Sequence, residues 1–135
     1  MTTKHILLYL DEIQYFNKKQ QQTLLNFIEN GDITLIASTT ENPYFYIYPA
    51  LLSRCMVFEF KALKQSDIVE RLKTIANELN MDIDQESLNY LSLAANGDMR
   101  KAINYLEFLY YADKKITLKE CENLIEKFGI LENFH

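Results

Sequence analysis

The sequence predicts an α/β protein: a partial parallel sheet, built as a βαβ unit plus one short strand, followed by an all-α unit of four helices. Three observations predict it. The run Ile6-Leu7-Leu8-Tyr9-Leu10 is continuously apolar and stops at Asp11-Glu12, the pattern of a strand buried on both faces. A second run of that kind, Ile33–Ala37, follows a stretch with helical spacing. From Ser66 onward the apolar positions recur at helical intervals and no further strand pattern is found.

Taken in order, the first helix opens at Asn17, because Asn17 and Gln20 have capping-box spacing and Leu24, Leu25, Phe27 and Ile28 form an apolar face. Gly31 closes it from the position after the cap. Strand, crossover helix and strand over residues 6–37 make the βαβ unit. A polar loop, Ser38 to Asn42, ends at Pro43 and leads into the aromatic stretch Tyr44–Tyr48. Pro49 opens a short helix reaching about Arg54, and Val57–Phe60 is expected as the third strand. Character changes near Leu63–Ser66. The four helices beyond start near Ser66, Asp84, Asp98 and Thr117. Their apolar faces use Ile68, Leu72, Ile75, Ala76 and Leu79; then Leu88, Leu91 and Ala95; then Met99, Ala102, Ile103, Leu106 and Leu109; then Leu124, Ile125 and Phe128. Thr117 and Glu120 form a second capping-box pair.

Bulk properties narrow the classes of function. The 135 residues carry a formal charge of −5. Residues 1–65 hold six basic and six acidic side chains, whereas residues 66–135 hold eight and thirteen. A free-standing nucleic-acid binder shows the opposite balance, since phosphate contacts dominate its affinity. This chain by itself is a poor candidate for tight DNA binding. Cys55 and Cys121 lie far apart, and with His5 and His135 they offer no metal-ligand spacing. They are expected as reduced thiols of a cytoplasmic protein. No signal peptide is visible and no stretch approaches membrane-spanning length.

Four groups of residues can carry chemistry. Asp11-Glu12 ends a buried strand, and ligands of open α/β sheets bind beyond the carboxyl ends of strands. One carboxylate there can hold Mg2+ through water while the other polarises a water for attack on a phosphate. Acids that simply follow a strand into solvent are the plainer alternative. Ser38-Thr39-Thr40-Glu41-Asn42 ends the neighbouring strand; its hydroxyls and amide can bond a phosphate or a water, or only their own turn. Arg54 follows the apolar turn Ala50-Leu51-Leu52 and can present a guanidinium to phosphate oxygens. Arg100 lies at the start of a helix in Gly97-Asp98-Met99-Arg100, where the helix N-terminus also favours an anion. Asp98 already caps that helix and can pair with Arg100 or Lys101 instead.

The order of these groups is more specific than any one of them. The strings ILLYLDEIQYFNKKQQQTLL, ITLIASTTENPYF, ALLSRC and GDMRKAIN resemble the AAA+ ATPases of the clamp-loader clade. More closely they are similar to the replication-associated recombination protein A family, also called MgsA, whose eukaryotic relatives interact with Werner helicase. The resemblance covers roughly residues 6–112 and, more loosely, the last helix. It implies that residues 1–63 are the C-terminal half of a nucleotide-binding core and residues 64–135 a helical lid. Asp11 would hold Mg2+ and Glu12 would be the base, together the Walker B pair. Thr40, or else Thr39, would be sensor 1. Arg54 would be a finger acting on the ATP of a neighbouring subunit, and Arg100 would be sensor 2. ATP and Mg2+ are the implied cofactors, in a homo-oligomer that remodels DNA at stalled replication forks alongside other replication proteins.

Two departures accompany the resemblance. The family usually has His-Arg where this chain has Gln14-Tyr15, and an acid where it has Tyr46; both positions are expected outside the catalytic shell. The larger departure is a missing phosphate-binding loop. GxxxxGK[ST] needs glycines that let backbone N–H groups approach phosphates, and none of Gly31, Gly97 and Gly129 begins or completes such a motif. In the family, the strand belonging to that loop sits mid-sheet, between the counterparts of Ile33–Ala37 and Val57–Phe60. The expectation is therefore that Val57–Phe60 either pairs directly with Ile33–Ala37 or is left as an unpaired edge. The chain by itself is expected to be inactive, as a truncated piece or one product of a split gene; family members also continue into an oligomerisation domain beyond the lid. The alternatives are a non-catalytic interaction protomer that donates Arg54, or a clamp-loader subunit.

Overall fold

The structure, a computed structural model, describes residues 4–112 and 115–133; His135 lies outside them. The chain divides after Glu59 into two compact units.

The first unit contains β1 (Ile6–Leu10), a 3-10 turn (Ile13–Tyr15), α1 (Lys18–Glu29), β2 (Ile33–Ala37), α2 (Pro43–Tyr46) and α3 (Pro49–Leu52). β1 and β2 pair in parallel, with Ile6 opposite Ile33 and Leu10 opposite Ala37. α1 starts at the expected place because its capping box is complete: Gln20 N–H donates to Asn17 Oδ1 and Asn17 N–H donates to Gln20 Oε1, both at 2.9 Å. Past its end, Gly31 takes φ +77°, a left-handed backbone that turns the chain into β2.

Two expectations fail in this unit. The strands are not buried on both faces. Leu8, Leu10, Ile33 and Leu35 are partly covered, while Leu7, Tyr9 and Ile36 on the other face are exposed. α1 and α3 cover one side, around buried Ile13, Ile47 and Leu51, and no described element of the unit covers the other. The third strand does not form either, and of the two outcomes expected for Val57–Phe60 it is the unpaired one that is found. Among the described residues β2 pairs with β1 alone, and Val57, Phe58 and Phe60 are exposed in irregular backbone. A strand is held by its ladder, and among the described residues no ladder joins this segment to β2.

Pro43 and the first three aromatics form the single turn α2, and Gln21 of α1 organises the stretch around it. Gln21 is only 2% exposed. Its amide nitrogen donates to Phe16 O at 2.9 Å and Tyr46 O at 3.3 Å, and its oxygen accepts from Tyr48 N–H at 2.6 Å. One side chain thus satisfies three backbone groups in two separate segments.

The second unit contains α4 (Gln65–Glu78), α5 (Gln85–Ala95), α6 (Met99–Tyr111) and α7 (Leu118–Glu132). Ile68, Leu72, Ala76, Leu88, Leu91, Ala95, Ala102, Leu106, Leu109 and Leu124 meet in one core, as their spacing predicts; Leu79 ends α4 and is exposed instead. Phe128 closes the core edge-on against Tyr105, with centroids 5.3 Å apart. An isolated parallel bridge joins Ile83 to Ile116, tying the approaches to α5 and α7. Between α5 and α6, Gly97 has φ +84°, and a Cβ there would lie 2.8 Å from Cβ of Ala62. Its carbonyl accepts Leu63 N–H at 3.1 Å, so glycine is needed for both the conformation and the close approach.

Cys121 belongs to this core, and burial pushes its thiol above the ordinary value; Cys55 is exposed. An aromatic disulfide reagent should therefore modify one thiol rapidly in the native protein and the second only on unfolding. Equal fast labelling of both would show that the helical core is open.

Candidate functional site

Parallel pairing places the carboxyl ends of β1 and β2 side by side, and the polar residues that follow them meet there. Ser38 N–H continues the ladder to Leu10 O at 2.9 Å, and Ile13 N–H returns to Ser38 O at 3.0 Å. Between these two bonds the chain must turn sharply. Glu12 does so with φ 55° and ψ 51°, a left-handed conformation uncommon for a non-glycine residue and frequent at functional sites. Ile13 anchors the turn in the core at 3% exposure.

Two hydrogen-bonded sets result. Ser38 Oγ donates to Asp11 Oδ1 at 2.6 Å, and Tyr9 Oη lies 3.2 Å from the same hydroxyl. Thr40 Oγ1 donates to Glu12 Oε2 at 3.1 Å. Gln14 Nε2 donates to Glu12 Oε2 and to Thr40 Oγ1, the latter at 3.3 Å. Each carboxylate from β1 is thus met by a hydroxyl from beyond β2. Thr39 is not part of this group: its Oγ1 accepts Glu41 N–H at 3.1 Å within its own turn.

Gln14 corrects an expectation. The sequence places it outside the catalytic shell, but the 3-10 turn folds its amide back onto Glu12. Ser38, noted only as part of a polar string, is the partner of Asp11. Register carried the signal for Ser38, because the residue after a parallel strand faces the residue after its neighbour. No local pattern marked Gln14.

Neither arginine is hydrogen-bonded to these sets among the described residues. Arg54, just beyond α3, pairs through its guanidinium with Glu29 Oε1 at 3.1 Å; both side chains are well exposed, so the pair adds about 1 kcal/mol or less. Arg100 is exposed in the first turn of α6, in the other unit. That helix is capped by Asp98, which accepts Lys101 N–H at 3.0 Å.

Among the described residues no three His, Cys, Asp or Glu side chains are grouped to hold a metal. Asp11 and Glu12 fit a different kind of site, in which a cation keeps most of its water and takes one carboxylate plus substrate phosphates, as Mg2+ does. The residues fit that side of a Mg2+–nucleotide site and provide no phosphate cradle.

A two-layer βαβ piece with paired carboxylates at its strand ends, joined to a four-helix unit, defines the class: the chain is part of an AAA+ module. No protein-family model matches it. ATPase WRNIP1 of Dictyostelium discoideum is 41% identical over 118 residues, which is 83% of this chain and 14% of that protein. Replication-associated recombination protein A of Bacillus subtilis is 32% identical over 136 residues, covering 90% of this chain and 32% of that protein. The RuvB Holliday junction branch migration motor of Thermotoga maritima shares the fold, with a TM-score of 0.73 at 21% identity over 89% of this chain and 43% of that one. Over the segment it spans, the chain belongs to the replication-associated recombination protein A family of AAA+ ATPases. It spans about a third or less of the length of these two relatives.

Among the described residues no helix is long and apolar enough to cross a membrane.

Proposed function

We propose that this chain supplies the carboxylate half of an ATP-hydrolysing site and turns over ATP only when joined to a segment that cradles the phosphates. The observation that carries the reading is the strand-end pairing of Ser38 with Asp11 and of Thr40 with Glu12. It sets two ionisable acids, each with one oxygen already bonded, at the place where α/β sheets bind ligands.

Asp11 has Oδ1 occupied by Ser38, and its other oxygen is the one that would hold Mg2+ through water. The cation would offset charge on the phosphates when bound. Glu12 is the base: it polarises the attacking water and accepts its proton. Thr40 links the two strand ends at that point as sensor 1. Arg100 supplies positive charge toward the terminal phosphate from the lid, and Arg54, once released from Glu29, offers its guanidinium to the nucleotide of a neighbouring copy. The wider role we propose is ATP-driven remodelling of DNA at stalled forks by a cytoplasmic homo-oligomer working with other replication proteins, a reading supported by relatives named for replication-associated recombination. The formal charge of −5 argues against tight DNA contact by this segment alone and supports a reading in which the completed oligomer makes it.

The test uses calorimetry and a chimera in which this chain replaces the matching segment of the Bacillus subtilis relative. The chain alone should give no measurable heat with Mg·ATP, while the chimera should bind and hydrolyse it. Tight binding by the chain alone would overturn the reading. So would a folded chimera that binds ATP and never hydrolyses it.

A further inference from the structure

We infer that Gln14 is a positioning residue that fixes the Glu12 carboxylate with one oxygen held and the other free, an inference that rests on the role proposed for Glu12 as base. Three residues form a closed ring. Gln14 Nε2 spends both of its hydrogens, one on Glu12 Oε2 and one on Thr40 Oγ1, and Thr40 Oγ1 donates in turn to Glu12 Oε2. Both donors converge on Oε2, and Oε1 has no donor among the described residues. A carboxylate held this way cannot rotate to exchange its oxygens without breaking two bonds. Oε1 is left as the atom able to take a proton from water.

The orientation of the amide supports the assignment. Gln14 Oε1 is buried and has no hydrogen-bond partner, an arrangement that native proteins avoid. Turning the amide over would place that oxygen against the carboxylate. An ionised carboxylate only accepts hydrogen bonds, so the charge on Glu12 selects the donor side of Gln14 even though the acceptor side goes unsatisfied. The backbone holds the ring in place. Glu12 is left-handed, Tyr15 N–H bonds back to Glu12 O at 3.1 Å, and buried Ile13 lies between the two side chains in sequence. Gln14 therefore cannot move far from Glu12 without unseating Ile13.

A positioning role makes a kinetic prediction that simple structural support does not. In the Bacillus subtilis chimera, Gln14→Leu should lower kcat on the order of tenfold with KM for ATP little changed, because geometry at the base is lost while nucleotide binding is kept. Gln14→His, which retains a donor, should recover most of the rate. Equal kcat for the leucine variant, or a loss that appears in KM and is not rescued by histidine, overturns the inference.

A second measurement separates this inference from the reading it rests on. In the 135-residue chain, NMR should find the Gln14 side-chain amide protons slow to exchange and shifted by Thr40→Val and by Glu12→Gln. Fast exchange insensitive to both substitutions overturns the ring. If the chimera fails to hydrolyse ATP while these couplings are present, Gln14 still positions Glu12 and the assignment of Glu12 as base is what fails.

Discussion

Glu12→Gln in the chimera should slow ATP hydrolysis by about a hundredfold or more, the range expected when a general base is lost, while leaving nucleotide binding intact. Glutamine keeps the shape of the side chain and can still accept from Thr40, but it cannot take a proton. The contrast with Asp11→Asn sharpens the result: that change should weaken Mg2+-dependent binding as well as turnover, because Asp11 is placed for the cation. Single-turnover kinetics with measured nucleotide affinity distinguish the two. A Glu12→Gln chimera that hydrolyses within a few-fold of the parent would remove Glu12 from the chemistry.

The largest effect on stability is expected at Leu91, which is fully buried at the centre of the helical unit. Leu91→Ala should destabilise that unit by about 3 kcal/mol, through lost burial and the cavity left behind. At roughly 0.05–0.15 kcal/mol per residue, that is about a quarter to three quarters of the stability expected of the unit Phe60–His135. Leu93, two positions along and 64% exposed, provides the control: Leu93→Ala should change stability by about 0.5 kcal/mol or less. Chemical denaturation followed by circular dichroism measures both. Similar midpoints for the two variants would mean that the core does not lie on the face assigned to it.

The elements most legible in the sequence were those whose ends are fixed by local chemistry. Asn17 with Gln20, Gly31, Asp84, Asp98 and Gly97 each satisfy or redirect backbone groups within a few residues, so their patterns predict the ends of α1, α5 and α6 and the crossover into β2. The carboxylate pair was legible for a similar reason: two acids after an apolar run have one obvious position. What could not be read depends on partners distant in sequence. Val57–Phe60 has strand-like composition, yet strand character is realised only by pairing with a neighbour, and among the described residues it pairs with none. Gln21 occupies a core position of α1, in step with Leu25 and Ile28. That polar residue on an apolar face was a signal, but its three backbone partners become known only once Phe16, Tyr46 and Tyr48 are placed in space. Gln14 gave even less notice, because the turn that brings it to Glu12 depends on Ile13 being buried.

That burial of Ile13 governs how much the acid beside it can wander. Residues at the end of a strand usually belong to a loop and share its swings, on nanosecond and longer timescales. Here the residue immediately after Glu12 is packed into the core and bonded through its N–H to Ser38 O at 3.0 Å. The backbone that carries the carboxylate is therefore tethered to the packed part of the unit. The carboxylate sits on an anchored backbone, so the order of β1 extends two residues past its end at Leu10.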